Sequence, residues 1–106
     1  MPQAKVYMYD LWAGVLTEDA EGFHFRYLQE YLESPEAEPV SLTLPLSPEA
    51  YRSTVLFPFF DGLIPEGWLL DIAQKNWKFD PRDRMQILLL TCHDCIGAVS
   101  IEPLES

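Results

Sequence analysis

Phe23-His24-Phe25-Arg26-Tyr27 carries the fold class, because apolar and polar residues alternate along it with a period of two. In an extended chain that period puts Phe23, Phe25 and Tyr27 on one face and His24 and Arg26 on the other. Upstream, Val6-Tyr7-Met8-Tyr9 is β-branched and aromatic and predicts a strand. Residues 11–16 continue it, with Gly14 as a bend or bulge. Glu18-Asp19-Ala20-Glu21-Gly22 is a polar turn. The three runs predict an antiparallel meander.

Downstream, residues 30–39 are acidic and proline-bearing and predict a loop, with a short turn at Ser34-Pro35-Glu36. Ser41-Leu42-Thr43-Leu44 alternates again and predicts a short strand ended by Pro45. Ser47 before Pro48 has the form of an N-cap followed by a proline at the first helical position, which predicts a helical turn. Pro65 with Glu66 suits a helix start, because proline needs no partner there and a carboxylate favours the positive end of the helix dipole. That helix is expected over residues 65–76, with Leu69, Ile72 and Ala73 as its inner stripe. Asp80 as cap and Pro81 behind it predict a second helix buried through Met85, Leu88 and Leu89. Residues 97–101 read as a closing strand. The expected fold class is α+β: a small antiparallel sheet, a meander plus a closing strand, with two main helices packed on one side. One domain spanning residues 1–106 is expected from the length.

Composition narrows the function. With 48% hydrophobic residues, the chain has enough apolar surface for one core, so disorder is excluded. Seventeen acidic residues against seven basic ones give a formal charge of −10. Such a surface repels phosphate backbones, so direct nucleic-acid binding is not expected. There is no apolar stretch of about 20 residues and no apolar signal-peptide core, so no membrane span is expected and the expected location is the cytoplasm. The acidity is uneven: Glu18, Asp19, Glu21, Glu30, Glu33, Glu36 and Glu38 are opposed only by Arg26. Acidic surface mainly confers solubility, but Glu33, Glu36 and Glu38 could steer a basic partner.

Cys92-His93-Asp94-Cys95 is the one pattern that could pass for chemistry, as a zinc site or a dithiol. Zinc needs four ligands, and only His93 and His24 remain to complete the set. The pair also follows the apolar run 87–90, at a helix C-terminus, where the dipole does not lower a thiol pKa. Buried structural thiols are the simpler reading of Cys92 and Cys95. The five glycines are too scattered for a nucleotide loop, and no nucleophile–base signature accompanies the two histidines. No enzyme activity, metal or cofactor is expected.

The aromatic residues are more informative. Trp12, Trp68 and Trp77 are three tryptophans in a small domain. Core packing is the ordinary role of each. Trp68 differs, because on the expected helix it lies beside the Leu69/Ile72 stripe and directly after a rigid turn. A half-covered indole so placed is the kind of group that anchors a protein interface.

Phe59-Phe60-Asp61-Gly62-Leu63-Ile64-Pro65-Glu66-Gly67 resembles the FF-x-x-L-L-P-E-G segment of the HipA N-terminal domain. Asp94-Cys95-Ile96-Gly97-Ala98 resembles that family's D-C-x-G-A segment, which closes the domain. Residues 6–16 are similar to its opening hairpin, and Phe25-Arg26-Tyr27 and residues 41–46 follow in order. Five segments in the family's order cover nearly the whole chain. The departures are modest. The family commonly has an asparagine near the position of Asp61 or Gly62, and Cys92 and His93 stand where it has a glycine and a basic residue.

The resemblance implies a partner, which composition does not. In HipA-type proteins this subdomain precedes a serine/threonine kinase and packs on its N-lobe. The kinase motifs are not in this chain, which is expected to be the small subunit of a split, three-gene HipA-like system. Such a subunit is an antitoxin that binds and restrains a separate HipA-like kinase toxin, and a helix-turn-helix repressor is the usual third member. A non-inhibitory subunit completing the kinase fold is the alternative, followed by a metal or redox protein using Cys92 and Cys95. The residues expected to meet the partner are Trp68, Phe59, Phe60, Asp61, Pro65 and Glu66, together with Glu33, Glu36 and Glu38.

Overall fold

The computed structural model describes residues 3–65, 67–69, 83–91 and 98–104. Strands β1 (Gln3–Met8), β2 (Leu11–Asp19) and β3 (Gly22–Tyr27) form the expected meander, and β5 (Val99–Pro103) closes the sheet against β1. The fourth strand, β4 (Tyr51–Ser53), lies on the opposite edge. All pairings are antiparallel, in the order β4-β3-β2-β1-β5.

Register sorts the side chains. Directly opposed residues share a face, so Ala4 with Leu16, Val6 with Ile101, and Leu16 with Phe25 look inward together. All five are fully buried. A bulge lies opposite Val6/Tyr7, where β2 spends the extra residue Ala13. Gly14 beside it is required by space. A Cβ there would lie 2.5 Å from the Arg26 carbonyl oxygen and 2.8 Å from the Phe25 ring.

Among the described residues, three helices flank the inner face: α1 (Gln29–Leu32), α2 (Pro58–Asp61) and α3 (Arg84–Thr91). Tyr31, Phe60, Met85 and Leu88 carry them into one cluster with the strands. Phe25 meets Tyr27 edge-on at 4.9 Å and Phe60 at 5.5 Å, arrangements that aromatic quadrupoles favour. The buried face of α3 is Met85, Ile87 and Leu88, with Leu89 only partly buried. The expected start at Asp80-Pro81 lies outside the described residues. The Asp83 carboxylate caps the described helix, accepting the Gln86 N–H at 3.0 Å.

Two segments depart from the sequence reading. Residues 41–44 form a turn rather than a strand, with the Leu44 N–H donating to the Ser41 carbonyl at 3.1 Å. The Ser41 hydroxyl takes the Thr43 N–H at 3.2 Å, a local bond that competes with extended pairing. Residues 47–50 are not helical, and the strand comes directly afterwards at Tyr51–Ser53. There Ser47 accepts the Glu49 N–H at 3.2 Å, a two-residue serine turn in place of a helix cap.

Candidate interaction surface

The FFDG segment begins at α2, whose Pro58 occupies the first turn and needs no hydrogen-bond partner. Phe60 is wholly buried against Phe25 and Phe57. It therefore belongs to the core and not to the surface, contrary to the sequence expectation. Phe59 is half-buried and packs edge-on against Phe60 at 5.2 Å.

Asp61 ends the helix and faces Arg84 at the start of α3. Its Oδ1 accepts from Arg84 Nε at 2.8 Å and lies 2.7 Å from Nη2. The pair joins α2 to α3 across 23 residues of sequence. It also holds the guanidinium 5.9 Å from the centroid of the Trp68 ring, within cation–π range. Trp68 is half-buried, and its backbone N–H donates to the Pro65 carbonyl at 3.2 Å. Pro65 is exposed. Glu66 lies outside the described residues, as do Trp77, Cys92, Cys95 and most of the helix expected over residues 65–76.

Leu69 corrects the expected inner stripe. It is 57% exposed, so at this position the buried direction is not the one that helical periodicity assigned. The rim position of Trp68 follows instead from its contact with Arg84. No sequence signal marks Arg84 as part of the site, because its partners Asp61 and Trp68 are distant in the chain.

The acidic segment is more ordered than a plain loop. Tyr31 of α1 stacks on Tyr27 at 6.0 Å, with the rings nearly parallel. Its hydroxyl donates to the Glu38 carbonyl at 2.7 Å and accepts the Glu38 N–H at 2.9 Å. Glu33, Glu36 and Glu38 are exposed on this anchored arm. Glu36 and Glu38 line a cleft of about 420 Å³ with Tyr9 and Asp10, at the β1–β2 turn.

The structure does not bring the arm and Trp68 together. Burial, and secondarily the Asp83 carboxylate, raises the Glu18 carboxyl above its ordinary pKa, so the start of α3 lies within electrostatic reach of the far end of β2. Seven residue steps along β2 separate Leu11, beside the arm, from Glu18, about 23 Å at about 3.3 Å per residue. The expected contact residues therefore form two patches. One is an aromatic–ionic cluster of Phe59, Asp61, Pro65, Trp68 and Arg84; the other is the acidic arm.

Comparison with known proteins identifies the fold. The family model of the HipA N-terminal domain matches residues 4–102. An uncharacterised protein of Haemophilus influenzae is 37% identical over 98 residues, covering 92% of this chain and 89% of that protein. A solved structure of the N-terminal domain of HipA toxin superposes with a TM-score of 0.77 at 32% identity, covering all of this chain and 95% of that one. The meander, the closing strand and the Phe59–Trp68 segment are thus those of a known domain, and the chain belongs to the HipA N-terminal domain family.

Proposed function

We propose that this protein is an antitoxin that binds a separate HipA-like serine/threonine kinase toxin and holds it inactive. The observation that carries the reading is the Trp68 cluster: a half-buried indole beside a guanidinium that Asp61 fixes in place. A side chain so held loses little entropy on binding, which suits an anchor. Family membership supports the partner class, and the Haemophilus relative is itself matched over 89% of its length by this one domain. In this reading the chain contributes binding and no chemistry, works in the cytoplasm, and shares its complex with a helix-turn-helix repressor. Turnover of ATP by the pure chain would contradict it.

The test is titration calorimetry of the chain with its cognate kinase, beside a thermal melt and a kinase assay. Trp68→Ala is expected to cost about 2 kcal/mol or more of affinity, the hot-spot range, with the melt preserved and kinase activity released. Unchanged affinity removes Trp68 from the interface, and lost affinity with a collapsed melt assigns it to the core. The solved relative is a domain of a toxin, which favours a second reading: a subunit that completes the kinase fold without inhibiting it. Tight binding that leaves kinase activity undiminished selects that reading.

A further inference from the structure

Lys5, Arg26 and Arg52 are the only lysines and arginines in the first 74 residues. Strand register puts all three on the outer face of the sheet, away from the described helices α1 to α3. Val15 opposes both Lys5 and Arg26, and His24 opposes Arg52. A chain of net charge −10 has thus sorted its early cations onto one face.

His24, Arg26 and Arg52 line a cleft of about 370 Å³ whose floor includes Val15 and the buried Thr17. Arg26 and Arg52 are exposed, and among the described residues neither guanidinium makes an ion pair. Asp19 Oδ2 lies 3.3 Å from His24 Nδ1, Glu102 opposes Lys5, and Glu21 borders an adjoining cleft beside Arg52. Farther along the same face, Tyr7 opposes Trp12, which is 37% exposed. The indole is held flat: its Nε1–H donates to the Gly14 carbonyl at 2.9 Å, and the Lys5 ammonium sits 4.9 Å from the ring centroid. Tryptophan, tyrosine and arginine are the residues enriched where protein partners bind tightly.

We infer that the outer sheet face is a second protein-docking surface, separate from the Trp68 cluster, and that its occupant is an acidic polypeptide segment. Charge complementarity selects that occupant. Two guanidiniums without an ion pair among the described residues, with the fixed Trp12 indole farther along the face, match carboxylates on an extended chain, whereas a basic surface would be repelled here and attracted to the acidic arm. The inference does not rest on the antitoxin reading, since its test uses this chain alone.

The test is a titration of the isotopically labelled protein with a decaglutamate peptide, followed by NMR. Saturable amide shifts are expected at Val15, Thr17, His24, Arg26 and Arg52. They should weaken at least tenfold in the Arg26→Gln/Arg52→Gln variant, whose spectral dispersion reports its fold. Without any variant, raising salt from about 20 to about 200 mM should weaken the same shifts, because the charges are exposed. A decalysine peptide should leave these residues unmoved. No shift at this face, or shifts indifferent to the variant and to salt, overturns the inference. Equal shifts from inorganic phosphate show an adventitious ion only, and shifts that follow protein concentration without peptide show a second copy of this chain. Each of these results also overturns it.

Discussion

At Gly14 the β2 backbone passes over the Phe25 ring and under the Arg26 carbonyl, so any side chain there must displace β3 itself. Neither obstacle is the free end of a flexible chain. Gly14→Ala is therefore expected to destabilise the domain by about 1–3 kcal/mol, the usual cost of overpacking, read from denaturant melts. Tyr27 is the other residue on which several contacts converge. Its hydroxyl donates to the Leu44 carbonyl and accepts the Val40 N–H at 3.0 Å, tying down the turn at residues 41–44. Burial chiefly, with Tyr31 and Tyr51 adding, pushes its pKa up to about 12, against the opposing effect of the Val40 N–H. A raised folded-state pKa means that the fold favours the protonated phenol. That contribution is fully present below about pH 10 and is lost as pH rises through about 12. Stability should fall over that window, and Tyr27→Phe should flatten the fall while lowering stability at neutral pH. Chemical denaturation as a function of pH measures both.

The acidic arm belongs to the scale of elements, because α1 is too short to hold it by helix propensity. Four residues form barely one turn, and its stability comes from burial of Tyr31. The Tyr31 hydroxyl satisfies both backbone groups of Glu38. Tyr31→Phe keeps the ring stack and removes both bonds. A loss of about 1–3 kcal/mol is expected, with faster hydrogen exchange at the Glu38 amide. If that amide exchanges no faster, the hydroxyl does not hold the arm. The α2–α3 junction works differently. The Asp61–Arg84 pair is roughly 40% exposed at both partners, so it adds little stability. Its consequence is positional, since it sets Arg84 against Trp68.

At the scale of the molecule, charge is segregated among the described residues. The acidic arm stands at the β1–β2 turn, the Trp68 cluster lies near the start of α3, and the early cations occupy the outer sheet face. If Glu33, Glu36 and Glu38 steer a basic kinase surface, association should slow as salt rises, because screening acts mainly on encounter. Neutralising all three to glutamine should lower the association rate more than it raises the dissociation rate. Stopped-flow measurement at several ionic strengths decides this, and a salt-independent rate would leave the arm as solubilising surface.

Local patterns determined a large part of this protein. The strand character of β1 and β2, the period-two run of β3 with the faces of Phe25 and Tyr27, the buried side of Met85 and Leu88, and the acidity of residues 30–38 all follow from residue type and spacing. Such properties are legible because neighbours in sequence set them. Tertiary structure alone decided the rest. β4 has three residues, too few for a period, and exists because β3 offers it an edge. Residues 41–44 alternate like a strand but find no partner strand, so local serine bonds and the Tyr27 hydroxyl fold them into a turn. Phe60 and Leu69 exchanged their expected places, because burial depends on what packs from distant parts of the chain. The Asp61–Arg84–Trp68 cluster and the shared face of Arg26 and Arg52 likewise arise from contacts between residues far apart in sequence, which no local pattern encodes.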